Sequence, residues 1–163
     1  MSLKIKTLSG ASEALEEGVA FKVYGKPQGK GRPRFRNAGR FVQVYTPKET
    51  LEYERRIADA YLKAGGQKLD LPVMITVIQQ FAVPKSATKA DRKAMLELHL
   101  VPNCKPDIDN VLKAVLDGLN NVAYHDDTQV LAVVCERRYG EEAYLEVIVE
   151  GIDATIKRSS KND

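Results

Sequence analysis

Residues 105–130 read KPDIDNVLKAVLDGLNNVAYHDDTQV and place one acid pair on each side of an amphipathic run. Asp107 and Asp109 come before it, Asp126 and Asp127 after it. Val111, Leu112, Val115, Leu116 and Leu119 give the run a helical apolar face, so a helix is expected over about 110–121. Asp109 then stands at the N-cap, where its carboxylate can accept from the first-turn N–H groups. Asp109, Lys113 and Asp117 follow one flank at i, i+4 and i+8. Asp107 lies in an extended stretch after Pro106, where residues two apart point the same way, so Asp107 and Asp109 can face one point. A twelve-residue helix is about 18 Å long, so the chain must double back for Asp126 or Asp127 to join them. Converging carboxylates suit a hard cation such as Mg²⁺, which takes oxygen ligands, water and a substrate phosphate. Such a metal activates water and polarises a phosphoryl group, and Lys113 could stabilise the charge that develops there. The plain alternative is a helix cap and an exposed Asp109–Lys113 pair worth only ~0.3–0.5 kcal/mol.

A second chemistry lies upstream. Lys26, Lys30, Arg32, Arg34, Arg36 and Arg40 occur within fifteen residues that contain no acid. If the stretch is extended, Arg32, Arg34 and Arg36 share a side, a row suited to a phosphate backbone. Phe35 and Tyr45 could stack on unpaired bases; the alternative is a solvated basic loop. Lys85, Lys89, Arg92 and Lys93 form a second candidate. His125 and His99 read as surface histidines without a duty, and Cys104 as a structural thiol. GKPQGKG lacks the Ser/Thr ending of a phosphate-binding loop.

The elements that must position these groups are readable in outline. VAFKVYG and FVQVY alternate as strands, separated by KPQGKGRPRFRNAGR, a long loop or ribbon. Thr46 as N-cap, Pro47 at the first helical position and Glu49 as capping-box partner predict a helix ending at Gly65-Gly66. Tyr53, Ile57 and Tyr61 make its buried stripe. LPVMITVIQQFAVP predicts a long central strand, and residues 86–98 a basic helix. VLAVVCERRYG and AYLEVIVEGI predict two closing strands joined by a tight Gly-Glu-Glu turn. The order suits one α+β domain, a mixed sheet packed by helices over residues 19–152. Residues 1–18 are expected to form a flexible arm and 153–163 a polar tail.

A chain of 163 residues with 44% hydrophobic and 29% charged side chains can bury a core, which excludes general disorder. Its net charge of +3 is unevenly spread: residues 1–48 hold ten Lys/Arg against three Glu, leaving the remainder acidic. That asymmetry points to a polyanionic partner and a separate carboxylate site. Two cysteines outside any Cys-x-x-Cys motif, no signal-like N-terminus and no long apolar run predict a cytoplasmic protein with no membrane association.

The segment as a whole resembles the signature of the RusA family of Holliday-junction resolvases of bacteria and phages. The resemblance rests on Asp107-x-Asp109-Asn110, Lys113, Asp117-Gly-Leu, and Asp126-Asp127 followed by Gln129-Val130. Outside this core it extends as layout over most of residues 19–150. It implies a homodimer of RusA-like α+β fold that nicks four-way DNA junctions in pairs, leaving 5′-phosphate and 3′-hydroxyl ends, in recombination and repair. It also implies Mg²⁺ as cofactor, with Mn²⁺ as a substitute, held by Asp107, Asp109 and Asp127 with Asp126 adjacent. Lys113 becomes the catalytic lysine. Two rival readings stay open: a non-catalytic branched-DNA binder, and a metal nuclease acting on RNA or linear DNA.

Overall fold

The computed structural model describes residues 18–154. Apart from Gly18, Asp153 and Ala154, the expected arm and tail lie outside the described residues. The chain runs β1 (Val19–Tyr24), β2 (Arg34–Ala38), β3 (Phe41–Tyr45), α1 (Lys48–Lys63), β4 (Val73–Ala82), α2 (Lys89–Leu96), α3 (Ile108–Leu119), β5 (Val130–Gly140) and β6 (Tyr144–Gly151). A single 3₁₀ turn, Asp127–Gln129, leads into β5. No helix among the described residues is long and apolar enough to cross a membrane.

Four strands form a mixed sheet in the order β1-β6-β4-β5. The α+β expectation with β4 inside the sheet holds: β4 is parallel to β5 and antiparallel to β6, and β1 is antiparallel to β6. Parallel neighbours need a long crossover, and the β4–β5 crossover carries both α2 and α3. Alternation along β4 turns Val73, Ile75, Val77 and Gln79 into the interior. Val111, Val115 and Leu119 of α3 and Tyr53, Ile57 and Tyr61 of α1 complete that core. Each fully buried aliphatic side chain there contributes on the order of 1.5–3 kcal/mol. The two helices sit unusually close at Gly118, where an added Cβ would lie 2.8 Å from Glu54 O.

One expectation is narrowed and three need correction. First, the stretch read as a long loop or ribbon has a third of its length in strand: β2 pairs with β3 as a separate two-stranded ribbon turning at Gly39, whose φ is 70°. Its described side chains carry no buried alternation, which is why period-two reading passes over it. Second, α1 begins at Lys48 with Pro47 as N-cap and no side-chain cap. Thr50 Oγ1 accepts from Gly31 N instead (2.9 Å), tying the upstream loop to the helix start. Third, the basic helix is shorter, with Thr88 as a true N-cap accepting from Asp91 N. Fourth, β5 and β6 are not a hairpin. They flank β4 on opposite sides, and their connection crosses its end, where Gln80 Nε2 donates to Glu142 O (2.9 Å).

Candidate active site

Helix α3 starts two residues earlier than its apolar pattern suggests. Asp107, not Asp109, is the N-cap, with φ −70° and ψ 157°, and Asp109 sits inside the first turn. The parallel-carboxylate argument from an extended chain therefore does not apply to this pair. Asp107 makes no side-chain cap bond, so its carboxylate is free of the usual duty of that position while still favoured by the helix dipole. Both of its oxygens instead accept from Lys105 Nζ, at 2.6 and 2.5 Å. Lys113 Nζ donates to Asp109 Oδ2 at 3.3 Å, the i,i+4 pair foreseen in the sequence. Asp107, Asp109 and Lys113 are all exposed.

The chain after α3 turns back onto the C-terminal half of that helix, and among the described residues the two acid pairs are not gathered into one group. Tyr124 is fully buried, and its hydroxyl donates to Leu116 O at 2.7 Å, folding the loop onto the helix it has just left. Burial, then the charges of Asp127, Asp117 and Asp126, push the Tyr124 phenol well above its usual value. The second acid pair is thus set beside the C-terminal half of α3 with Asp117. Asp126 caps the 3₁₀ turn, and its bonds with Thr128 hold its carboxyl below the usual range. Gln129 secures the turn: its Nε2 donates to Leu69 O and Leu71 O (both 3.0 Å), and its Oε1 accepts from His125 N at 2.8 Å. His125 has a partner after all, since its Nε2 lies 2.7 Å from Asp70 Oδ1.

Among the described residues, no three His, Cys, Asp or Glu side chains are gathered as a ready-made metal cage. The donor types fit Mg²⁺, being all oxygen; in this structure Lys105 pairs with Asp107, Lys113 with Asp109 and Lys30 with Asp117.

The basic loop of residues 25–33 is docked on the same helix. Lys30 N donates to Asn110 O at 3.1 Å, and Lys30 Nζ bonds Asp117. Gly29 permits the contact, because an added Cβ would lie 2.6 Å from Asn110 Nδ2. Asp117 and Glu54 together favour the Lys30 ammonium and push its pKa up, the Asp117 hydrogen bond being the main cause. Burial, with help from Asp117, raises the Glu54 carboxyl, whose Oε1 is buried without a partner.

The remaining basic candidates separate by setting. Lys26, Arg32, Arg34, Arg36 and Arg40 are exposed. Arg34 opposes Tyr45 and Arg36 opposes Gln43 in the ribbon, so the two arginines share one face; Phe35 and Val44 take the other. Phe35 is 72% and Tyr45 43% exposed, which leaves both rings open to stacking. On and before α2, Lys85 and Lys89 are exposed, while Arg92 pairs with Glu141 and Lys93 with Glu97.

Sequence reading passed over Glu54, Gln79 and Arg137 and left Asp117 without a role. A glutamine pair interrupting the apolar strand VMITVIQQFA was a signal for the second of these, since a buried amide needs a partner. Gln79 and Arg137 both reach the chain that leads into Asp107 and α3.

Residues 24–150 match the family described as Endodeoxyribonuclease RusA. A Bacillus subtilis (strain 168) protein, Uncharacterized protein YqaN, is 32% identical over 142 residues, covering 83% of this chain and 98% of that protein. The matched family span takes in Lys26 through the second acid pair and both closing strands.

Proposed function

From the premise that this chain belongs to the RusA endodeoxyribonuclease family, we propose that it is a Mg²⁺-dependent endonuclease that resolves four-way DNA junctions by paired nicks in recombination and repair. The observation that carries this reading is the docking of a basic loop on an acid-bearing helix through Lys30, Asn110 and Asp117. A phosphate bound by the loop is thereby delivered to exposed carboxylates rather than repelled from them.

Asp107, Asp109 and Asp127, with Asp126 adjacent, would hold the metal. When bound, the ion supplies Lewis-acid polarisation and an activated water; Mn²⁺ offers the same chemistry. Lys113, one turn beyond Asp109, is placed to donate to a non-bridging phosphate oxygen and stabilise charge in the transition state. Lys26, Arg32, Arg34, Arg36 and Arg40 hold the flanking backbone, and Lys85, Lys89, Arg92 and Lys93 a further arm. A two-fold homodimer would match two such sites to a two-fold junction, and light scattering of the purified protein measures that directly. A DNA substrate fits the cytoplasmic location expected from the sequence.

The deciding experiment compares a four-way junction, linear duplex, single strands and RNA, each with and without Mg²⁺. Symmetric nicks on the junction, dependent on the metal, are expected. Equal cleavage of duplex or RNA would remove the resolvase reading. One observation favours a second reading, a non-catalytic junction binder: all three acids of α3 are already neutralised by lysines. Binding without any cleavage in the same experiment selects it.

A further inference from the structure

We infer that Gln79 and Arg137 act together as positioning residues for Asp107 and Asp109, a clamp reaching from the sheet to the backbone that carries both acids. The inference rests on the nuclease reading for its catalytic meaning, but not for its structural content.

Gln79 of β4 and Arg137 of β5 are direct partners in the parallel ladder, so their side chains leave the same face of the sheet. That face points at the start of α3. Gln79 is fully buried, and its Nε2 donates to Ile108 O at 3.2 Å. Ile108 lies between the two acids. Arg137 spreads its guanidinium over the preceding segment: Nη2 donates to Cys104 O at 2.6 Å and Pro106 O at 3.0 Å, and Nη1 reaches Pro102 O at 3.5 Å. The guanidinium also lies 5.0 Å from the Phe81 ring centre, which fixes its plane.

Four carbonyls between Pro102 and Ile108 are therefore held by two side chains of adjacent strands. The segment needs this hold, since residues 101–106 include no helix or strand of their own and Asp107 and Asp109 are exposed. A planar fork of five donors suits such a task, and an ammonium group cannot span the same carbonyls. Among the described residues Arg137 pairs with no carboxylate, and both side chains donate to main-chain oxygens, the signature of positioning rather than of chemistry. Each keeps one buried polar atom unpaired, Gln79 Oε1 and Arg137 Nε.

The test uses the full-length protein and two variants, Arg137→Lys and Gln79→Met. Each is followed by hydrogen exchange of the amides of residues 103–111, by thermal melting, by junction binding and by single-turnover junction cleavage. Faster exchange confined to 103–111, junction affinity within ~3-fold of wild type and a cleavage rate lower by ~10–100-fold are expected, the loss typical of reacting groups displaced by about an ångström. Gln79→Met keeps size and neutrality, and so decides the matter if Arg137→Lys folds poorly. Unchanged local exchange in a folded variant overturns the clamp. So does a lower melting temperature with a normal cleavage rate, because the residues would then be merely structural. If the wild type itself cleaves no substrate, the nuclease reading fails, while local exchange still supports or overturns the clamp.

Discussion

Helix α3 shows Asp109 and Lys113 to solvent while its opposite side, Val111, Val115 and Leu119, is fully buried against the sheet and α1. The β2–β3 ribbon shows Arg34 and Arg36 from strands in which every side chain described is exposed. One region is fixed by the core, the other only by its own ladder. The difference follows the work each must do. Reacting groups have to be held to within a fraction of an ångström, whereas a grip on phosphates needs charge and reach, and gains from a ribbon that adapts to a branched backbone. The basic loop of residues 25–33 joins the two, since it enters the ribbon at one end and is bonded to α3 through Lys30.

The comparison breaks most visibly at Asp107. Asp107→Asn keeps the side chain's shape and removes its charge from the helix start. Cleavage is expected to fall by ~10³-fold or more, the scale seen when a group acting in the transition state is lost. Junction binding should persist or tighten, because less negative charge faces the phosphates. A gel-based cleavage and binding assay reads both, and persistent cleavage would show that the acids serve only as ion-pair partners.

The opposite pattern is expected from the ribbon. Arg34→Ala with Arg36→Ala removes two cations that share one face. Each lost phosphate contact lowers the slope of log affinity against log salt by about 0.9, so the pair should lower it by roughly 2. Cleavage of saturating junction should stay within ~3-fold, since neither arginine touches the acids. A collapse of the saturated rate would mean that the ribbon takes part in the chemistry and that the division between the regions is false.

The same division explains what could be read in the sequence. Buried periodicity exposed β4, β6, α1 and α3, because the core writes its demands as spaced apolar residues. The Asp-x-Asp and Asp-Asp pairs with Lys113 were likewise legible as types at a spacing. The β2 strand left no such trace, since no core selects its side chains. Helix starts were misplaced at Thr46 and Asp109: Thr50 is bonded to Gly31 from the upstream loop and α1 starts after Pro47, while Asp107, as good a cap type as Asp109, starts α3 two residues earlier. Arg137 and Gln79 could not be linked to Asp107 at all, because only the parallel β4–β5 pairing brings them together.

The smallest expected effect lies where the two regions meet. Glu54 of α1 sits against Lys30 and Asp117, with one carboxylate oxygen buried and unpartnered. Burial is the largest influence on it, Lys30 opposes that influence and Asp117 adds to it, leaving the Glu54 pKa above its ordinary value. A raised carboxyl favours the folded state while protonated. That advantage is complete below the ordinary glutamate range and is lost as pH rises through the folded-state value. Glu54→Gln removes the charge and keeps the shape, so it should raise the melting temperature by about 1–3 °C near neutral pH, well under the shift of a full core substitution. Below about pH 3, under the ordinary glutamate range, the two proteins should melt together. Lys30 retains Asp117 in the variant, so the loop stays docked and junction cleavage should be unaltered. A lower melting temperature at neutral pH would instead mean that the Glu54–Lys30 attraction outweighs burial, and that the seam between ribbon and helix is held by two carboxylates rather than one.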